Sequence, residues 1–156
     1  MNTTTCCFTG HRYLPADMLE HIMTRLNTEV ELLIERGVTD FICGGAIGFD
    51  LLAASLIAAK KGMGTDVRLI FALPCRNQDV LWPGEQKALY RELLKEADEV
   101  RYVSEEYSPG CMRKRNYYMV ENSGYCVCAF LNDRSGTSQT VRYALRNGLS
   151  VINVAI

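Results

Sequence analysis

Apolar residues along this chain keep two rhythms: short unbroken runs, and longer stretches with apolar positions every three or four residues. The runs predict buried strands over Thr4–Phe8, Val38–Cys43, Val67–Leu73, Asp98–Val103, Tyr125–Leu131 and Ser150–Val154. A long amphipathic helix is predicted over Leu14–Arg36, its stripe made by Leu19, Ile22, Met23, Leu26, Val30, Leu33 and Ile34, with Gly37 as its stop. A second covers Ala46–Lys61, carrying Phe49, Leu52, Ala53, Leu56, Ile57 and Lys60 down one side, and Gly62 ends it. Pro83–Ala97 reads as a third, with proline where a missing N–H costs little. Ser108 and Pro109 read as cap and first residue of a fourth, reaching about Asn122, and Thr137–Arg146 is the fifth.

Six strands thus alternate with five helices. Strands that are apolar throughout belong in a parallel sheet covered on both faces. Right-handed crossovers then give an α/β, Rossmann-like, three-layer domain with a mostly parallel, doubly wound sheet. No repeat, low-complexity tract or linker interrupts the 156 residues, so 1–156 reads as one domain.

Composition narrows the function classes. A 48% hydrophobic, 22% charged chain is ordinary for a globular protein. A net charge of −1 counts against a broad nucleic-acid or membrane-binding face. The seven cysteines are odd in number and scattered, unlike a disulfide framework, and Cys126 and Cys128 share one strand face. With only His11 and His21 beside them, no zinc pattern emerges, and the thiols read as small core residues in a reducing cytoplasm. No charged-then-apolar leader or membrane-length run is present, and no metal or cofactor is called for.

Candidate chemistry collects where strands hand over to helices. Gly44, Gly45, Ala46 and Gly48, with Asp50 two residues on, form a glycine turn opening a helix, suited to an anion held by backbone N–H groups. Asp50 there is placed to meet a ribose hydroxyl or to complement the helix dipole. Thr9, Gly10, His11 and Arg12 form a second turn, whose guanidinium can clamp a phosphate. Arg113, Lys114 and Arg115 fan out around a helix at about 100° per residue, so they cannot share one pocket. Arg115 and Asn116 are the pair expected inward. Asp133-Arg134-Ser135-Gly136-Thr137 feeds another helix start, where Gly136 and Thr137 can hold a second phosphate or a sugar. In an open parallel sheet these turns share one edge.

The ordered set Phe8-Thr-Gly-His-Arg12, Gly44-Gly-Ala-x-Gly-x-Asp50, Met112-x-x-Arg115-Asn116 and Ser135-Gly136-Thr137-x-x-Thr140 resembles the SLOG superfamily, in particular its YpsA-like branch, over essentially the whole chain. The resemblance implies a Rossmann-like fold whose pocket is formed by these turns, and binding, sensing or sequestering of a nucleotide-derived small molecule, ADP-ribose-like or cyclic. It also leaves a homodimer as an expectation. The LOG phosphoribohydrolases of that superfamily carry a glutamate where this chain has Thr140, which tilts the reading away from an enzyme. The alternative is a LOG-like nucleoside-monophosphate N-glycosidase using another acid, with Asp50, Asp79, Asp133 and Glu121 the candidates. A further alternative is DprA-like binding of single-stranded DNA, which wants a basic groove with exposed aromatics. Trp82, Tyr107, Tyr117 and Tyr118 lie near the basic segment, but the net charge favours a core role for them or the wall of an adenine-sized pocket.

Overall fold

A computed structural model describes residues 2–131 and 135–156. Asp133 and Arg134, singled out above, lie outside the described residues. The chain runs β1 (Thr5–Gly10), a 3₁₀ turn (Ala16–Met18), α1 (Leu19–Glu35), β2 (Asp40–Cys43), α2 (Phe49–Gly62), β3 (Arg68–Leu73), α3 (Gly84–Glu96), β4 (Glu99–Tyr102), α4 (Cys111–Glu121), β5 (Tyr125–Ala129), α5 (Gly136–Arg146) and β6 (Ser150–Asn153). The strands form one sheet in the order β4-β3-β2-β1-β5-β6, every pairing parallel.

That order contains one reversal. From β1 the chain steps outward through β2, β3 and β4, then crosses back to lay β5 on the other side of β1. The carboxyl ends of β1 and β5 therefore diverge at a topological switch point, the place where open α/β sheets leave a crevice. Register puts Gly10 against Ala129 there.

Alternation along the strands builds two cores. Cys6 and Phe8 of β1 and Val127 of β5 face one side, with Ile22, Leu26, Val30 and Leu33 of α1 and the buried faces of α2 and α3. Cys7, Cys126 and Cys128 face the other, under Met119 and Val120 of α4 and Ala144 of α5. Phe8 stacks on Phe41, ring centroids 5.9 Å apart, and meets Phe49 edge-on. Each such buried phenylalanine contributes ~1.5–3 kcal/mol over an exposed one. All seven cysteines are free and buried.

Several boundaries depart from the sequence reading: β1 runs on through Thr9 and Gly10, β2 starts at Asp40, β5 ends at Ala129, and the helix starts shift too. The first helix is preceded by the 3₁₀ turn after Pro15, and Leu19 and Met23 of its predicted stripe are exposed. α3 begins at Gly84, with Pro83 (ψ 150°) outside it. α2 begins at Phe49 rather than Ala46, because Gly48 turns the chain at φ 93° and Asp50 takes the Ala46 N–H for itself. α4 begins at Cys111 rather than Pro109, after Gly110 in the left-handed region.

Candidate functional site

At the switch point lies a cavity of about 300 Å³. Thr9, Gly10, His11 and Arg12 reach it from β1, Ala46 and Asp50 from the turn into α2, Arg115 and Asn116 from α4, and Gly136 and Thr137 from α5. Those ten residues of the sequence reading are brought together. Gly44, Gly45 and Gly48 are not on its wall; Gly44 and Gly48 stand behind it and let its parts approach, while Gly45 lies against Leu73, Tyr90 and Gln78.

Gly44 separates two buried charges. A Cβ there would fall 2.6 Å from Arg115 Nη1 and 2.8 Å from Asp50 Oδ2, so the guanidinium and the carboxylate face each other across its bare backbone. Arg115 is only 4% exposed. Its Nε–H donates to Asn116 Oδ1 at 2.7 Å, one Nη1–H to the Gly44 carbonyl, and Nη2 leans on the Met112 sulfur at 3.9 Å. A guanidinium has five N–H donors in a fixed fork, so donors are left over for whatever enters the cavity. Burial pulls the Arg115 pKa down, and Asp50 opposes that fall.

Asp50 is 5% exposed and accepts the Ala46 N–H at 3.3 Å. Burial pushes its carboxyl up from 3.8 to about 6, against the pull of Arg115 and the Ala46 hydrogen bond. The consequence for stability has a definite sign. Below about pH 4 the carboxyl is protonated in folded and unfolded chain alike. Between about 4 and 6 the folded chain keeps a proton that the unfolded chain has released, so stability falls as pH rises. Above 6 the loss is complete, on the order of 3 kcal/mol for a shift of this size. Asp50→Asn is expected to flatten that window, read as the urea midpoint followed from pH 4 to 7.

His11 joins the two diverging strand ends. Its Nε2 accepts the Leu131 N–H at 2.9 Å, which leaves the proton of the neutral ring on Nδ1. Burial lowers its pKa, favouring that neutral form. Across the cavity, Ser135 caps α5 by accepting from Ser138 N, in a reciprocal capping box. Gly136 and Thr137 form the first turn after that cap, where N–H groups and dipole favour an anion. The hydroxyls of Thr9 and Thr137, both on the cavity wall, carry no hydrogen bond among the described residues. Arg12 is exposed and is the second cation on the wall, and Asp50 is the one acid there among the described residues.

Met112 and Ser135 also line the cavity and were not among the expected site residues. The Ser135-x-x-Ser138 spacing was a readable cap signal for the second. Among the acids considered, Asp79 pairs with Arg91 at 3.2 Å and Glu121 accepts the Tyr143 hydroxyl, both off the cavity. Thr140 donates its hydroxyl to Gly136 O within its own helix at 3.0 Å. The aromatics divide: Tyr117 stacks on Tyr143 with centroids 4.0 Å apart, and Tyr118 takes a hydrogen bond from Arg101, while Trp82 and Tyr107 line a neighbouring cavity. Among the described residues no helix is long and apolar enough to cross a membrane, and no cluster of His, Cys, Asp or Glu is set to hold a metal.

These features define a Rossmann-like α/β protein with a mostly cationic crevice at its switch point. The model of the YspA SLOG family matches residues 14–150, and the chain belongs to that family. It is 33% identical over 131 residues to the uncharacterized SPbeta prophage-derived protein YoqJ of Bacillus subtilis (strain 168), covering 76% of this chain and 77% of YoqJ. A UPF0398 protein of Halalkalibacterium halodurans is 25% identical over 121 residues, 76% of this chain and 64% of its own length. Among solved structures, DNA processing protein A of Helicobacter pylori superposes with a TM-score of 0.68 at 18% identity, over 96% of this chain and 64% of that one. DprA of Streptococcus pneumoniae gives 0.68 at 18%, over 94% and 48%. At that identity the likeness concerns the fold. That Helicobacter protein has a single-stranded DNA binding mode, which sits against the expectation, drawn from net charge, that this chain disfavours nucleic acid.

Proposed function

We propose that this protein binds a nucleotide-derived small molecule, ADP-ribose-like or cyclic, in the switch-point cavity, and so senses or sequesters it. One observation carries the reading: a buried guanidinium with unused donors, the first turn of α5 and the exposed cation Arg12 converge on one cavity. Phosphate would lie between Arg115, Arg12 and the Gly136–Thr137 amides. The open hydroxyls of Thr9 and Thr137 suit the edge of a sugar. Binding of this kind needs no chemistry beyond the groups already in place.

Arg12 gives the cleaner test, because no described group bonds its side chain. Arg12→Ala is expected to weaken calorimetric affinity for AMP or ADP-ribose by about 1.5–3 kcal/mol, the loss of one charge-assisted hydrogen bond. Unchanged affinity for both would remove Arg12 from the site. Chromatography of the same mixtures separates the alternatives. Intact nucleotide supports binding, whereas free base with ribose phosphate supports the N-glycosidase. One observation favours that second reading: Asp50, with its carboxyl near 6, lies on the cavity wall, within reach of general acid–base work. Single-stranded DNA enters the same titrations as a competitor; displacement of AMP by an oligonucleotide would favour the DprA-like alternative.

A further inference from the structure

A second cavity, of about 530 Å³, opens beside the first. Most of its lining comes from residues 75–83, which join β3 to α3, and the rest from the β1 turn, Ile47 before α2, Tyr107, and Met112 at the start of α4. Arg12 and Met112 line both cavities, so the two share a wall rather than lying apart on the surface. Together they fall in the range, roughly 300–1,000 Å³, of sites for small organic ligands.

The two compartments differ in chemistry. The first is cationic and hydroxylic. The second is walled by Trp82, Tyr107 and Tyr13 with Ile47 and Leu81, and carries the carboxamides of Asn77 and Gln78. Trp82 is fixed by its tilted contact with the Tyr90 ring, centroids 4.9 Å apart. Tyr107 is 69% exposed, Tyr13 87% and Leu81 93%, an apolar rim that water covers poorly. Gln78 donates Nε2–H to Gly45 O at 3.3 Å, and its carboxamide also meets the Tyr90 hydroxyl, which fixes it on the cavity wall.

Resting on the binding reading above, we propose that the second cavity is the base compartment of the same ligand: a planar nucleobase enters between Trp82 and Tyr107 while its ribose phosphate lies in the first cavity. The Arg12 and Met112 wall is where the glycosidic end of the ligand crosses. Specificity among nucleotides then resides in residues 75–83 and in Tyr107, not in the glycine turns.

The chain holds a single tryptophan, so Trp82 emission reports on this compartment alone. The probes are ribose 5-phosphate and the four ribonucleoside monophosphates AMP, GMP, CMP and UMP, each titrated by calorimetry and by emission. Ribose 5-phosphate is expected to bind without changing the emission. At least one nucleotide is expected to bind ten-fold or more tightly than ribose 5-phosphate and to quench it. Tyr107→Ala, at an exposed position, is expected to remove most of that ten-fold advantage and to leave ribose 5-phosphate affinity as it was. If every nucleotide binds no better than ribose 5-phosphate and the emission stays constant, the base lies elsewhere while the phosphate site stands. If Tyr107→Ala weakens both ligands equally or neither, the stacking assignment is overturned. If no probe binds, the reading of the first cavity fails with it.

Discussion

Gly48→Ala is expected to cost about 3 kcal/mol or more and to loosen the whole ligand edge of the sheet. Two independent penalties meet at this position. Its φ of 93° lies where an L-residue with a Cβ is strained, worth ~1–3 kcal/mol. A Cβ would also be driven into the carbonyl groups of His11 and Arg12, coming within 2.6 Å of the Arg12 carbonyl carbon. That backbone cannot withdraw freely, because His11 O accepts the Phe49 N–H at 3.1 Å, the contact that seats the start of α2 on the β1 turn. Urea unfolding measures the loss, and amide exchange at Phe49 localises it. Gly62→Ala supplies the contrast: a Cβ there meets nothing within 4 Å at the end of the same helix, so the change is expected to be neutral or mildly stabilising. Equal effects at 48 and 62 would show that close approach at the β1 turn contributes nothing.

Arg115→Leu is expected to be comparably severe, at ~3–5 kcal/mol, through the partner it abandons. Leucine fills much of the volume but leaves the Gly44 carbonyl and Asn116 Oδ1 without their donor, and leaves a buried carboxylate with Arg12 as its one neighbouring cation among the described residues. The Asp50 carboxyl then moves further up, so the variant should regain stability on acidification over a wider range than the parent. Adding Asp50→Asn should restore part of the loss at pH 7. The coupling between the two changes, read from a double-mutant cycle by urea denaturation, is expected at about 1–3 kcal/mol. Strict additivity would mean that the two groups do not sense each other across Gly44.

Much of this was legible from residue order because the fold leaves little choice. Phe41-Ile42-Cys43 and the run to Leu73 are apolar on both faces, which only a covered parallel sheet accommodates, and parallel strands deliver every following turn to one edge. The gathering of Thr9–Arg12, Asp50, Arg115–Asn116 and Gly136–Thr137 on one cavity follows from that geometry. What stayed hidden depends on single conformations. The start of α2 hangs on one positive φ and one carboxylate that captures the Ala46 N–H. Leu19 and Met23 satisfy helical spacing yet fall outside the stripe that Ile22, Leu26, Val30 and Leu33 bury. The second cavity rests on residues 75–83, which have no period to betray which side chains turn inward. Gly44 read as a phosphate gripper because its role as a spacer between two distant side chains leaves no local trace.

The sulfur chemistry of the interior has a practical corollary. Burial raises the Cys6 and Cys43 pKa values well above the ordinary range, and a hydrogen bond with Cys7 does the same for Cys126. Alkylating reagents attack thiolates, so these sites stay silent until the polypeptide opens. With Cys128, raised to about 12 by burial, four built-in clocks sit in the two layers, Cys6 and Cys43 in one and Cys126 and Cys128 in the other, and mass spectra of a timed iodoacetamide quench would order the opening of those layers without any label being introduced.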